Sequence, residues 1–282
     1  MLIARMTIGM CFVFSLVSGH ELTGLTGDHS DGHLNQKLMN ARKSQSKDVF
    51  HKDVVVFIGD RVISQFVDGG LWKTGVTLVN LENHPVSFQV LFFQDNGTDL
   101  YVPVTGQGLV RGMNILLNTA GSATFETAGT SANLFQGWAL LSQDTTDSIG
   151  GFAIFRQSIA GGQPQEAVVP IVNQFESHFV LPFDNTAYVT AAAIANPTLQ
   201  AVIIPVTIRN EQGQIIDRQT ISLGAYGHAA FPLANQWPST AGIRGAIEFQ
   251  TSGFGVGALG LRFNGSAFTT FNVLENFNWV VN

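Results

Sequence analysis

The stretch VSFQVLFFQDNG, residues 86–97, decides the fold class of this chain. Apolar side chains occupy the even-numbered positions from 86 to 92, whereas Ser87 and Gln89 stand between them. Side chains of a β-strand alternate between two faces, so this period of two predicts a strand with one buried face. Asn96-Gly97 then accepts positive φ and predicts a hairpin turn.

The same pattern occurs a second time further along the chain. The segment QFVDGGLWKTGVTLVN (65–80) matches LPFDNTAYVTAAAIAN (181–196) at an offset of 116 residues. Later the offset falls to 106, where Phe155-Arg156 meets Leu261-Arg262. The first copy therefore holds about ten additional residues, which we place within 105–114 on a surface loop, since the flanking pattern is intact.

The repeat predicts an all-β fold of two tandem immunoglobulin-like antiparallel β-sandwich modules, at 54–167 and 168–275. Each copy supplies about seven short strands, which suits such a sandwich. A related apolar motif occurs three times and therefore bounds the modules, so we expect a very short linker and a stiff pair. Its copies are VVVFIG (54–59), VVPIV (168–172) and FTTFNVL (268–274).

The first 53 residues differ in character from the rest of the chain. Residues 1–19 carry a basic start, a short apolar run and small residues before His20, which is the pattern of a secretory signal peptide. Residues 20–53 are polar and predict a flexible arm, and residues 276–282 form a C-terminal tail. We expect helix only in the signal peptide and, at most, in the arm. The predicted localisation is secreted, extracellular or at the cell surface.

Composition excludes several classes of partner and of chemistry. Only 12% of the residues are charged and the net charge is −6, which argues against nucleic acid because that ligand needs a basic surface. No apolar run of the predicted mature chain has the length of a transmembrane helix. Cys11 lies within the predicted signal peptide, so the mature chain would have no disulfide.

The ordered cues of each copy resemble a family of uncharacterised tandem β-sandwich (immunoglobulin-like) repeat proteins secreted by environmental bacteria. These cues cover residues 54–274 and comprise a strand start, turns and a late arginine: Asp68-Gly69, Asn196-Pro197, Asp95-Asn96-Gly97, Phe155-Arg156 and Leu261-Arg262-Phe263. The resemblance implies an extracellular structural, adhesive or binding module. It implies no particular activity.

The sequence contains no recognisable catalytic motif. The serine hydrolase motif G-x-S-x-G does not occur. Asp68 and Asp184 are repeat equivalents, so they would not face one another as the carboxylate pair of a glycosidase. Each either caps the start of a strand, lies in a solvated turn or forms a structural pair with an arginine, Asp68 with Arg156 and Asp184 with Arg262. We expect no catalytic residue and no cofactor.

Several polar segments contain residues that bind metals. The segment DHSDGH (28–33) has ligand types for a transition metal, and turn aspartates at 95 and 99 or at 144 and 147 have those for calcium. Aspartate is also common in turns and polar tails for local reasons. We favour this second interpretation and predict no metal site.

Aromatic side chains are the remaining binding candidates. Trp72, Tyr188 and Trp237 could stack on a sugar, although Trp72 and Tyr188 are repeat equivalents, which favours packing. Alternation over 138–142 places Trp138 and Leu140 on an outer face, where a large apolar pair needs cover. The inserted loop, the arm, the neighbouring module or a partner could supply it.

The sequence therefore predicts a non-enzymatic secreted or cell-surface protein with a structural or adhesive role. The alternative is a carbohydrate-binding or polysaccharide-associated extracellular protein. In either case the partner is an extracellular protein or a glycan.

Overall fold

The structure is a computed structural model that describes residues 59–143, 145–172, 175–251, 253 and 255–275. The predicted signal peptide, arm and tail lie outside these residues. The described part is all-β, with eighteen strands. In chain order they are β1 Arg61–Asp68, β2 Trp72–Asn80, β3 Val86–Phe93, β4 Val102–Val104, β5 Gly108–Val110, β6 Gly112–Leu117, β7 Ser122–Glu126, β8 Phe135–Ser142, β9 Ile149–Gln157, β10 Gln165–Pro170, β11 His178–Asp184, β12 Val189–Ala195, β13 Val202–Asn210, β14 Ile215–Leu223, β15 His228–Pro232, β16 Arg244–Gln250, β17 Gly257–Asn264 and β18 Ala267–Phe271.

The strands form four antiparallel four-stranded sheets and one small hairpin. Sheet A has the order β1-β8-β3-β6 and sheet B the order β10-β9-β2-β7. Sheet C has the order β11-β16-β13-β14 and sheet D the order β15-β12-β17-β18. We call residues 59–172, which build sheets A and B, the N-terminal half, and residues 175–275, which build sheets C and D, the C-terminal half.

The two halves have the same strand order when their strands are matched along the chain. Sheet A corresponds to sheet C, and sheet B, read from its other edge, corresponds to sheet D. The N-terminal half alone has the hairpin β4–β5, close to the predicted insertion at 105–114. Most of 105–114 is exposed, with Leu109 at 67%, whereas Met113 near its end is 7% exposed and belongs to the core.

Two details of the predicted organisation differ from the structure. Strand β10 pairs with β9 through Pro170, so the N-terminal half extends past the boundary predicted at 167. A single helical turn, Leu233–Gln236, and a 3-10 turn, Pro238–Thr240, follow β15, outside the places where helix was expected. Burial of Leu233 at this chain reversal accounts for the helical turn. Among the described residues, no helix combines the length and the apolar character needed to cross a membrane.

Sheet D is buried on both faces, and this arrangement joins the two halves. Ala192 and Ile194 of β12 pack with sheet C in the C-terminal core. Ala191 and Ala193, which point the other way, belong to the core cluster of the N-terminal half. Small residues permit the close approach of β1: a Cβ added to Gly257 would lie 2.7 Å from Val62 Cγ1. The halves therefore share sheet D, one face of which belongs to the N-terminal core and the other to the C-terminal core.

Candidate binding cavity at the junction of the two halves

Two of the three aromatic candidates for sugar stacking are buried. Trp72 is 8% exposed and its ring lies 5.0 Å from that of Phe268, so it packs between the halves. Trp237 is 2% exposed and contacts the edge of Phe231 at 5.2 Å. Neither ring offers a free face to a sugar, because each is covered by the apolar interior.

Trp138 and Leu140 lie on the outer face of sheet A, opposite Ala139 and Leu141, which point into the core. Of the four possible covers, the structure places the C-terminal half over them. The Trp138 ring stacks on Phe93 at 4.8 Å, and its Nε1–H donates to the carbonyl oxygen of Tyr226 at 2.8 Å. Both side chains are buried within the junction, at 0% and 1% exposure.

His228 forms a polar bridge next to this aromatic cluster. Its Nδ1 lies 2.8 Å from an Asp95 carboxylate oxygen, and its Nε2 donates to the carbonyl oxygen of Ser64 at 3.0 Å. The backbone N–H of His228 also donates to the Asp95 carbonyl oxygen at 2.9 Å. Since the imidazole is fully buried, these bonds satisfy both ring nitrogens and fix the relative position of the halves.

The structure corrects the expected pairing of Asp68 with Arg156. Asp68 accepts a hydrogen bond from the Gly129 backbone N–H at 2.8 Å. Arg156 lies on the outer face of sheet B, where it donates to Glu166 at 2.6 Å and to Glu126 at 2.9 Å. The reason is that Glu166 stands directly opposite Arg156 on β10, whereas Asp68 ends a strand of the other sheet.

The second expected pair, Asp184 with Arg262, does not form either. Asp184 accepts hydrogen bonds from Thr186 and from Arg244 Nε, the latter at 2.9 Å. These bonds, those from Thr186 first, lower the pKa of Asp184 to about 2. Arg262 instead places its guanidinium carbon 3.5 Å from the ring centre of Tyr188, a cation–π contact. This contact occupies one face of Tyr188, the third aromatic candidate.

A cavity of about 380 Å³ opens where β1 meets sheet D. Gln65 is its one lining residue from the N-terminal half. The C-terminal half supplies the ends of β12, β15 and β17: Ala187, Tyr188, Val189, Ala191, Ala192, Ala230, Phe231, Pro232, Asn235, Leu261, Phe263 and Gly265. The lining is mostly apolar, with a few polar groups, which is typical of small-molecule sites.

Gln65 enters this cavity because β1 contains a bulge. Ile63 pairs with Ala139 and Phe66 with Gly137, so β1 has one more residue than β8 between these pairs. A bulge re-aims the side chains beside it. Gln65 is 4% exposed, and its Oε1 has no hydrogen-bond partner among the described residues.

Sequence reasoning missed Gln65 and the apolar wall of sheet D. One signal was present: AAAIA, residues 191–195, lacks the polar alternation of its repeat equivalent, and unbroken apolar runs mark strands buried on both faces. No local pattern identified Gln65. Metal ligands do not cluster here: within the described ranges, no group of three or more His, Cys, Asp or Glu residues could hold an ion.

Compared with models of protein families, with curated proteins and with solved structures, the chain shows no significant match.

Proposed function

We infer that this chain is a non-enzymatic secreted or cell-surface protein with a structural or adhesive role, in which two immunoglobulin-like modules act as one stiff unit. One observation carries this proposal: sheet D contributes one face to each of two cores. Domains joined by small, polar interfaces move relative to one another. A shared apolar sheet prevents such movement, which suits a protein with a structural role outside the cell.

The polar contacts of the junction support stiffness as well. The His228 bridge and the Trp138 hydrogen bond are directional, so they stabilise one relative orientation of the halves. Close backbone approach adds to this, because a Cβ on Gly97 would lie 2.0 Å from the Ala225 carbonyl oxygen. Rotation of one half against the other would therefore break packing and hydrogen bonds together.

The carbohydrate-binding alternative has less support. Trp72, Trp138 and Trp237 are at most 8% exposed, so they present no planar surface for a sugar ring. Tyr188 is half-buried and carries Arg262 on one face. The geometry therefore favours the structural role.

Single-molecule stretching tests the stiff unit. Pulled from residues 59 and 275, the chain should unfold both halves in one event, because sheet D cannot keep its core contacts once the other half is lost. Two independent unfolding events of about equal force would contradict the proposal. Secretion is tested by mass spectrometry of the exported chain, which should begin at His20.

A glycan array with pull-downs on insoluble polysaccharides tests the alternative. We expect no saturable binding. Saturable binding that Tyr188→Ala abolishes and Tyr101→Ala retains would favour the carbohydrate-binding function. Tyr101 is the matched control because it is an exposed tyrosine, at 49%, outside the cavity.

A further inference from the structure

The cavity at the junction has an uncharged lining. None of its thirteen lining residues is Asp, Glu, Lys, Arg or His. Phe231, Leu261 and Phe263 form buried parts of the wall, each at most 9% exposed. An ion placed here would lose its hydration without a countercharge among the lining residues, whereas an apolar molecule would gain by leaving water. The occupant that suits this lining is uncharged and mainly apolar.

Gln65 adds one specific requirement to that description. Its Oε1 is buried without a partner among the described residues, and so is the hydroxyl oxygen of the adjacent Ser64. Unpaired buried oxygens are uncommon and costly in folded proteins. A carbonyl oxygen only accepts hydrogen bonds, so a partner must bring an O–H or N–H group.

The repeat supplies an internal comparison for the cavity. At the matched positions of the N-terminal half, Lys73 stands in place of Val189, Thr124 in place of Ala230 and Glu126 in place of Pro232. The sandwich itself therefore tolerates polar side chains there. Docking of β1 does not require an apolar residue at 189 either, because Val189 is 46% exposed at the mouth of the cavity.

We propose that this cavity binds one uncharged, mainly apolar small molecule, an aromatic or aliphatic alcohol, whose hydroxyl group donates a hydrogen bond to Gln65 Oε1. The walls of sheet D hold the apolar body. The bulge of β1 holds the acceptor in place, so recognition requires both halves in their docked arrangement. This site goes beyond the structural role, and it rests on the same docked arrangement of the two halves.

Three probes of the same shape test the assignment on the mature chain, residues 20–282. In ligand-fluorescence titrations, 2-naphthol should bind at one site. The compound 2-methylnaphthalene, which replaces the hydroxyl by a methyl group, should bind about tenfold more weakly, corresponding to about 1.4 kcal/mol, the size of one hydrogen bond. The anion 2-naphthoate should not bind.

Two variants assign the binding to this cavity. Gln65→Leu should remove the preference for 2-naphthol over 2-methylnaphthalene, whereas Gln219→Leu, on the exposed strand β14, should keep it. Val189→Trp should block both probes by filling the mouth, and its exposed position makes it the safer variant if Gln65→Leu fails to fold.

Three results would overturn the proposal. The first is equal affinity for 2-naphthol and 2-methylnaphthalene in the unmodified chain. The second is the absence of binding by 2-naphthol. The third is binding that appears only after residues 276–282 are deleted, which would assign the cavity to the tail of the chain itself. None of these results bears on the stretching experiment, so the two proposals fail separately.

Discussion

Replacing Trp138 by alanine should destabilise the whole described fold, because this ring is packed between the halves. It is 0% exposed, stacks on Phe93 at 4.8 Å and donates to the Tyr226 carbonyl oxygen at 2.8 Å. A buried aromatic ring removes about 150–250 Å² from water, which is worth at most about 4–6 kcal/mol. Since measured Trp→Ala changes in cores are about 3–5 kcal/mol, we expect a loss of ~4 kcal/mol.

Urea unfolding of the monomeric chain measures this loss. With a denaturant slope of about 3 kcal/mol per molar, the midpoint should fall by about 1.3 M. Trp138→Phe separates the two contributions: it keeps an aromatic ring but removes the hydrogen bond from Trp138 Nε1–H to the Tyr226 carbonyl oxygen, which is worth about 0.5–1.5 kcal/mol. The control is Phe152→Ala at a 39% exposed position of sheet B, which should cost less than about 1 kcal/mol.

One pattern of results would refute this reasoning. If Trp138→Ala left the unfolding midpoint of the monomer within about 0.3 M of the original while abolishing self-association or surface binding, the ring would serve a partner. The C-terminal half would then not be its cover in solution.

The remaining predictions concern the junction and one exposed carboxylate. His228→Ala should cost about 1–3 kcal/mol in urea unfolding because it removes the two hydrogen bonds of the buried ring, to the Asp95 carboxylate and to the Ser64 carbonyl oxygen; an unchanged midpoint would contradict the bridge. Gly257→Val should cost about 1–3 kcal/mol by overpacking against β1, whereas Gly75→Ala, which meets nothing within 4 Å, should be near neutral. The pKa of Asp184 is about 2 in the folded chain, below its value in the unfolded chain. The ionised Asp184 side chain therefore stabilises the fold above about pH 4, and this contribution is lost as the pH falls towards 2. The difference in urea midpoint between the native chain and Asp184→Asn should therefore shrink over that pH interval. A difference that stays constant would contradict the predicted loss of the Asp184 contribution.

The sequence by itself determined the all-β fold class. Alternation such as that of 86–92 is a local property, since neighbouring side chains of any strand point to opposite faces. The same rule correctly placed Trp138 and Leu140 opposite Ala139 and Leu141. The offset of the repeat predicted two tandem modules, and in the structure the two halves have matching sheet orders.

The tertiary structure alone decided what each of these faces meets. Arg156 pairs with Glu166 because the strand order places them opposite one another, and the spacing along the chain does not reveal this. Trp138 is covered by Tyr226, 88 residues away, so no local pattern could distinguish an internal cover from a partner. The cavity needs the bulge of β1 beside the wall of sheet D, which lies more than 120 residues further along the chain. Periodicity reports which side of a strand is apolar, but the surface that covers it depends on long-range docking, whose energy comes from shape and contacts that only the assembled fold contains.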